Sequence, residues 1–210
     1  MISFAAMKTA AILLAGLLCP PAWTATLTVT LTDATGAPLE DAVAWASPKA
    51  GVTLPAARPG EVAQVDKTFV PFVAVVQAGA RVSFPNRDET RHHVYSFSPA
   101  KIFEIKLYAG AATAPSIVFD KPGDVVLGCN IHDAMVGHVY VVDSAWFGKS
   151  GRDGRVRIES VPPGEYELKV WHYAQSAAVQ SQLLRLNGEE GAEAAVIVPT
   201  RPRAPRPAAR

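Results

Sequence analysis

The sequence predicts an all-β protein made of packed β-sandwiches, and three observations carry that prediction. From Thr26 onward the apolar residues recur with a period of two, and no helical stripe runs longer than about three turns. Seventeen prolines and 15 glycines cut the 210 residues into short segments bounded by turn signals. Alternation is strictest where Phe103, Ile105 and Leu107 oppose Glu104 and Lys106, and where Tyr166, Leu168 and Val170 oppose Glu165, Glu167 and Lys169 just after Pro162-Pro163-Gly164. A hydrophobic share of 49% excludes a disordered chain, and a formal net charge of +1 gives no electrostatic ground for nucleic acid or an anionic membrane as main partner.

Residues 1–25 read as an export signal. Lys8 precedes the apolar run Ala10 to Leu18, and Pro20, Pro21 and the small-residue stretch Ala22 to Ala25 follow, with Met7 as an alternative start. The run is shorter than the ~20 residues a membrane span needs, and no later run is long enough, so no transmembrane segment is expected in the mature chain. The expected location is the periplasm. The bulky Leu18 before Cys19 argues against a lipoprotein signal, so Cys19 leaves with the leader and Cys129 remains as the sole thiol. A lone cysteine in an oxidising compartment needs burial, a partner chain or a metal.

Strands are expected at 26–32, 42–46, 70–76, 80–84, 92–97, 101–108, 116–119, 124–129, 137–142, 155–159, 165–170 and 193–198. The end of the chain, 200–210, is rich in Pro, Arg and Ala and reads as a solvated basic tail.

The chemistry is concentrated in residues 128–138, Gly-Cys-Asn-Ile-His-Asp-Ala-Met-Val-Gly-His. Cys129, His132 and Met135 place a thiolate, an imidazole and a thioether on one short loop after a strand. One further imidazole completes the donor set of a blue-copper centre, two His and one Cys with a weak axial Met. Arg91-His92-His93-Val94 supplies it. Zinc also accepts Cys and His, but a thioether is a poor zinc ligand, so Met135 argues for copper.

These residues resemble the cupredoxins, most closely the amicyanin and plastocyanin branch, over roughly residues 66–143. Phe69-Val70-Pro71 and Gly79 to Asn86 look like the strands before that family's first histidine ligand, which falls six residues after the asparagine, at His92. Phe119-Asp120-Lys121-Pro122-Gly123-Asp124 looks like its turn into the last ligand strand, with Cys129 six residues past the glycine. The resemblance implies a Greek-key β-sandwich holding one copper ion through His92, Cys129, His132 and Met135. It also implies single-electron transfer between redox partner proteins that dock near His132, and no enzymatic activity. The same ligands would serve copper storage or delivery, and a structural or adhesion module with a vestigial site is a third reading.

Two positions depart from the simplest pattern. The family has Asn after its first histidine ligand, bracing the cysteine loop, whereas this chain has His93. Strand alternation also puts His93, Tyr95 and Phe97 on a more apolar face than His92, Val94 and Ser96. His92 and His93 therefore stand as alternatives, with spacing favouring His92 and leaving His93 a supporting or surface role. His138 reads as a strand-surface residue, and His172 has no visible partner.

Residues 26–48 and 151–173 resemble the two halves of a small prealbumin-like sandwich, the regulatory module of carboxypeptidases. The expected organisation is thus a discontinuous sandwich, 26–48 with 147–199, into which a copper domain of 55–146 is inserted. One enlarged cupredoxin with flanking strands is the alternative.

Overall fold

The computed structural model describes residues 24–49, 52–110, 114–188 and 191–201. Residues 1–23 of the signal expected at 1–25, and residues 202–210 of the tail expected at 200–210, lie outside them. Among the described residues there are 17 strands and no helix. In chain order they are β1 (Ala25–Thr32), β2 (Val43–Pro48), β3 (Gly60–Glu61), β4 (Ala63–Val65), β5 (Thr68–Val70), β6 (Val73–Gln77), β7 (Ala80–Ser83), β8 (His92–Ser98) and β9 (Lys101–Tyr108). They continue with β10 (Ser116–Phe119), β11 (Gly123–Gly128), β12 (Val136–Val142), β13 (Phe147–Lys149), β14 (Arg155–Val161), β15 (Gly164–Trp171), β16 (Gln180–Leu186) and β17 (Ala192–Ile197).

The strands pair into two sandwiches. Sheets ordered β14-β1-β17 and β13-β2-β15-β16 enclose a core that includes Leu27, Val29 and Leu31 from β1 and Tyr166, Leu168 and Val170 from β15. Sheets ordered β10-β7-β3 and β6-β12-β11-β8-β9 enclose a second core with Val82, Phe84, Phe119, Leu127, Cys129 and Met135. Ala25, at the end of the expected signal, is buried as the first residue of β1. Thr200 bridges to Gln175, so the ordered chain reaches the start of the expected tail.

A third cluster joins the sandwiches. Val43, Trp45 and Trp171 of one pack against Val73, Tyr140 and Val142 of the other, and Tyr140 stacks on Trp171 with centroids 4.3 Å apart and planes 21° apart. Strands β2 and β12 are therefore buried on both faces, which is why their sequences run apolar without alternation.

Several short or exposed elements escape a period-two reading. Strands β3, β4 and β13 are only two or three residues long, and β16 is an edge strand exposing Leu183. The expected 70–76 strand is two, β5 and β6. In β9 the register shifts opposite the stretch from His92 to Val94, so Leu107, expected on the buried face, is exposed and Tyr108 turns inward. The bulge is sustained by the Tyr108 hydroxyl, which donates to Gln64 Oε1 at 2.7 Å.

Candidate metal centre

The site lies where β8 begins and β11 ends. Loop 129–135 leaves β11 at Cys129 and turns back through Met135 N–H donating to the His132 carbonyl at 2.8 Å, which delivers Met135 to the core before β12 starts. The stretch 85–91 enters β8 under the control of Asn86. Its Nδ2 donates to the carbonyls of Thr90 (2.8 Å) and Tyr108 (3.1 Å), and its Oδ1 accepts from Asp88 N–H at 2.9 Å.

Donor atoms of His92, Cys129 and His132 all lie within 4.8 Å of one another. Cys129 Sγ is 3.9 Å from His92 Nδ1, and the two imidazole centroids are 5.2 Å apart. Donors sharing one ion at bond lengths of about 2.0–2.3 Å stand roughly 3.5–4 Å apart, so the arrangement fits a single metal ion. Met135 is buried in the same cluster as Cys129.

Protonation favours the same geometry. His92 is fully buried and its Nε2 lies 2.7 Å from Asp88 Oδ2. That carboxylate also accepts the backbone N–H groups of Asp66 (2.7 Å) and Lys67 (2.9 Å). Burial works against ionisation of Asp88, but the hydrogen bonds from Lys67, His92 and Asp66 outweigh it and hold the carboxyl below its usual range. An ionised Asp88 accepts a hydrogen bond from Nε2–H of His92, the tautomer that leaves Nδ1 with a lone pair facing Cys129. His132 Nδ1 is buried without a hydrogen-bond partner, a costly condition that a bound cation relieves. Behind the site, burial pushes the Tyr108 hydroxyl up to about 12, against the Gln64 hydrogen bond and with a smaller contribution from Cys129.

His92, with Val94 and Ser96, faces inward, while the face of His93, Tyr95 and Phe97 turns outward, with Phe97 exposed; the more apolar face of β8 is its outer one. His93 is buried against β9, with Nε2 2.8 Å from Glu104 Oε1 and Nδ1 unpartnered, so its hydrogen bond goes to the neighbouring strand. His138 is not on the surface. It is buried between the sandwiches beside Phe72, Trp171 and Tyr173, with Nδ1 3.0 Å from Asp124 Oδ1. His172 is buried too: Nδ1 accepts Ala174 N–H and Nε2 lies 3.2 Å from the Glu40 carbonyl.

Asp88 and Glu104 escaped the sequence reading. Asp88 stands four residues before His92, but its other partners lie 21 and 22 residues away in the turn of the β4–β5 hairpin. That turn has positive φ at both Asp66 (49°) and Lys67 (57°), and no glycine marks it.

No protein-family model matches the chain, and no curated protein matches it. Among solved structures, it is similar to a purple cupredoxin from Nitrosopumilus maritimus, at 19% identity over 40% of this chain and 99% of that one, TM-score 0.36. It is also similar to a copper(I) form of an amicyanin variant, at 21% identity over 47% and 98% of the two chains, TM-score 0.37. A copper-containing nitrite reductase from Thermus scotoductus is similar at 23% identity over 54% of this chain and 28% of that one, TM-score 0.38.

Proposed function

We propose that this chain is an exported type 1 copper protein that carries single electrons between redox partners in the periplasm. The observation that carries the reading is the convergence of His92, Cys129 and His132 around one point, with the buried Nδ1 of His132 otherwise unpartnered. A thiolate and two imidazoles beside a thioether suit copper better than zinc.

Copper bound there would supply one-electron exchange between Cu(I) and Cu(II). The protein's part is to hold the donors still. Asp88 fixes the His92 ring and its tautomer, and the Met135-to-His132 hydrogen bond fixes the loop. Cys129 and Met135 are buried, so their sulfur atoms are shielded from solvent. His132 is half-buried, the least buried of the four candidate ligands, which makes it the natural route between the site and the surface. Such a rigid, preorganised set resists rearrangement as charge changes, which suits a carrier.

The test is a visible and electron paramagnetic resonance spectrum after adding Cu(II), with Cys129→Ser alongside. An intense thiolate-to-copper band with narrow hyperfine splitting, lost in the variant, is expected. Colourless protein with only ordinary copper signals would overturn the reading.

A further inference from the structure

His92 opens β8 and Cys129 follows β11, so the 3.9 Å between Nδ1 and Sγ depends on how β11 is seated against β8. On its other side β11 pairs with β12 at every residue from Gly123 to Gly128. Toward β8 the register among the described residues comes down to one pair, Gly128 with Tyr95, helped by Val126 N–H donating to the Ser98 hydroxyl at 2.9 Å. The residue that leads into Cys129 is thus the one tied to the strand of His92.

Gly128 does not have the positive φ that calls for glycine. What a side chain there would meet is Tyr95: a Cβ would stand 2.7 Å from Cζ, 2.8 Å from the hydroxyl oxygen and 3.1 Å from Cε1. Leu127 and Cys129 point into the core, so Gly128 turns its bare backbone outward and the phenol lies across it. Tyr95 is itself held. Its ring is 5.4 Å from that of His93 and 5.2 Å from that of Phe97, and its partner on β9, Glu104, places Oε1 2.8 Å from His93 Nε2. His93 is buried, so one side of the phenol rests on an anchored imidazole.

We propose that Tyr95 is a positioning residue for the metal centre. Pressed on Gly128 from the outer face and steadied by His93 and Glu104, it fixes Cys129 Sγ relative to His92 Nδ1. A ring over a glycine supplies the cross-strand packing that the glycine lacks, so removing the ring, or filling the gap beneath it, changes how β11 sits on β8. A thiolate free to shift allows bound Cu(II) the tetragonal geometry it prefers and weakens the hold of the donor set. These spectroscopic consequences rest on the type 1 copper reading; the packing does not.

Two readouts keep the role of Tyr95 apart from that reading. In the full metal-free chain, alkylation of Cys129 by iodoacetamide, read by mass on its own peptide, should be at least about tenfold faster in Tyr95→Ala than in the wild type. Tyr95→Phe keeps the ring and should match the wild type. After Cu(II) is added, Tyr95→Ala should weaken the thiolate-to-copper band, widen the hyperfine splitting and lower copper affinity about 10–100-fold in chelator competition, with Tyr95→Phe again like the wild type. Gly128→Ala drives a Cβ into the ring and should disturb the same signals, and adding it to Tyr95→Ala should change nothing further, because the ring it meets is gone. A Tyr95→Ala protein with wild-type thiol reactivity, or with a wild-type spectrum and affinity, would overturn the proposal even if it unfolded at a lower temperature. So would a Gly128→Ala protein with wild-type signals. A wild type without the blue band would overturn the copper reading alone and leave the alkylation rates to decide the role of Tyr95.

Discussion

Asp88 Oδ2 and His92 Nε2 stand 2.7 Å apart, and the same carboxylate caps the Asp66-Lys67 turn. One side chain therefore fixes an imidazole of the candidate centre and a hairpin that has positive φ at two non-glycine residues. Asp88→Ala leaves the buried His92 nitrogen unpaired and frees both turn N–H groups. Copper affinity should fall by roughly 10–100-fold, the usual cost of losing such an outer partner. Competition with a chelator measures it. Unchanged affinity would mean that His92 is held by packing alone.

Met135 is buried to 1% exposure, with a leucine-sized volume to fill. Met135→Leu conserves packing and should cost less than about 1.5 kcal/mol of stability. It replaces a weak axial donor by an apolar side chain, which leaves the more highly charged Cu(II) with one donor fewer in less polar surroundings, so the reduction potential should rise while the blue band persists. Protein-film voltammetry reads the direction. An unchanged potential would argue that Met135 is only a packing residue.

Legibility in the sequence followed sequence locality and burial. Cys129, His132 and Met135 were visible because seven consecutive residues carry all three, and Tyr166, Leu168 and Val170 because one face of β15 is buried in a core. His138 misled because its strand is covered on both faces, a fact set by Trp171 and Tyr173 some 33 to 35 residues on, by the difference of their numbers. Leu107 misled because a bulge reverses the faces of β9, and nothing local to Lys106-Leu107 marks it. β16 was unreadable for a simpler reason: an edge strand with most of its residues exposed has little hydrophobic period to show.

The joint between the sandwiches rests on the Tyr140–Trp171 stack. Trp171→Ala removes a buried indole and should cost about 3–5 kcal/mol. Since Trp171 belongs to the cluster between the sandwiches and not to the core of its own, the loss should fall on coupling between the two units. Calorimetry should show one transition for the wild type and two for the variant, and limited proteolysis of the variant should then release a stable fragment of about 55–146, the span expected for an inserted domain. A variant that still unfolds in one step would count against two separable domains.

Asp143 ties the same joint to pH. Its Oδ1 accepts Trp45 Nε1–H at 2.7 Å and the Ser47 hydroxyl, and its Oδ2 lies 3.0 Å from Lys169 Nζ. Burial opposes ionisation, but Ser47, Lys169 and Trp45 together hold the carboxyl below its usual range. A carboxyl depressed in the folded state contributes stability above its unfolded value of about 3.9, and that contribution is lost as pH falls through the folded value. The urea midpoint of the metal-free protein should therefore drop on acidification below about pH 4. Asp143→Asn should start lower at neutral pH, because Lys169 loses its partner charge, and should fall less steeply with acid. A variant whose acid slope matches the wild type would assign the loss to other carboxylates.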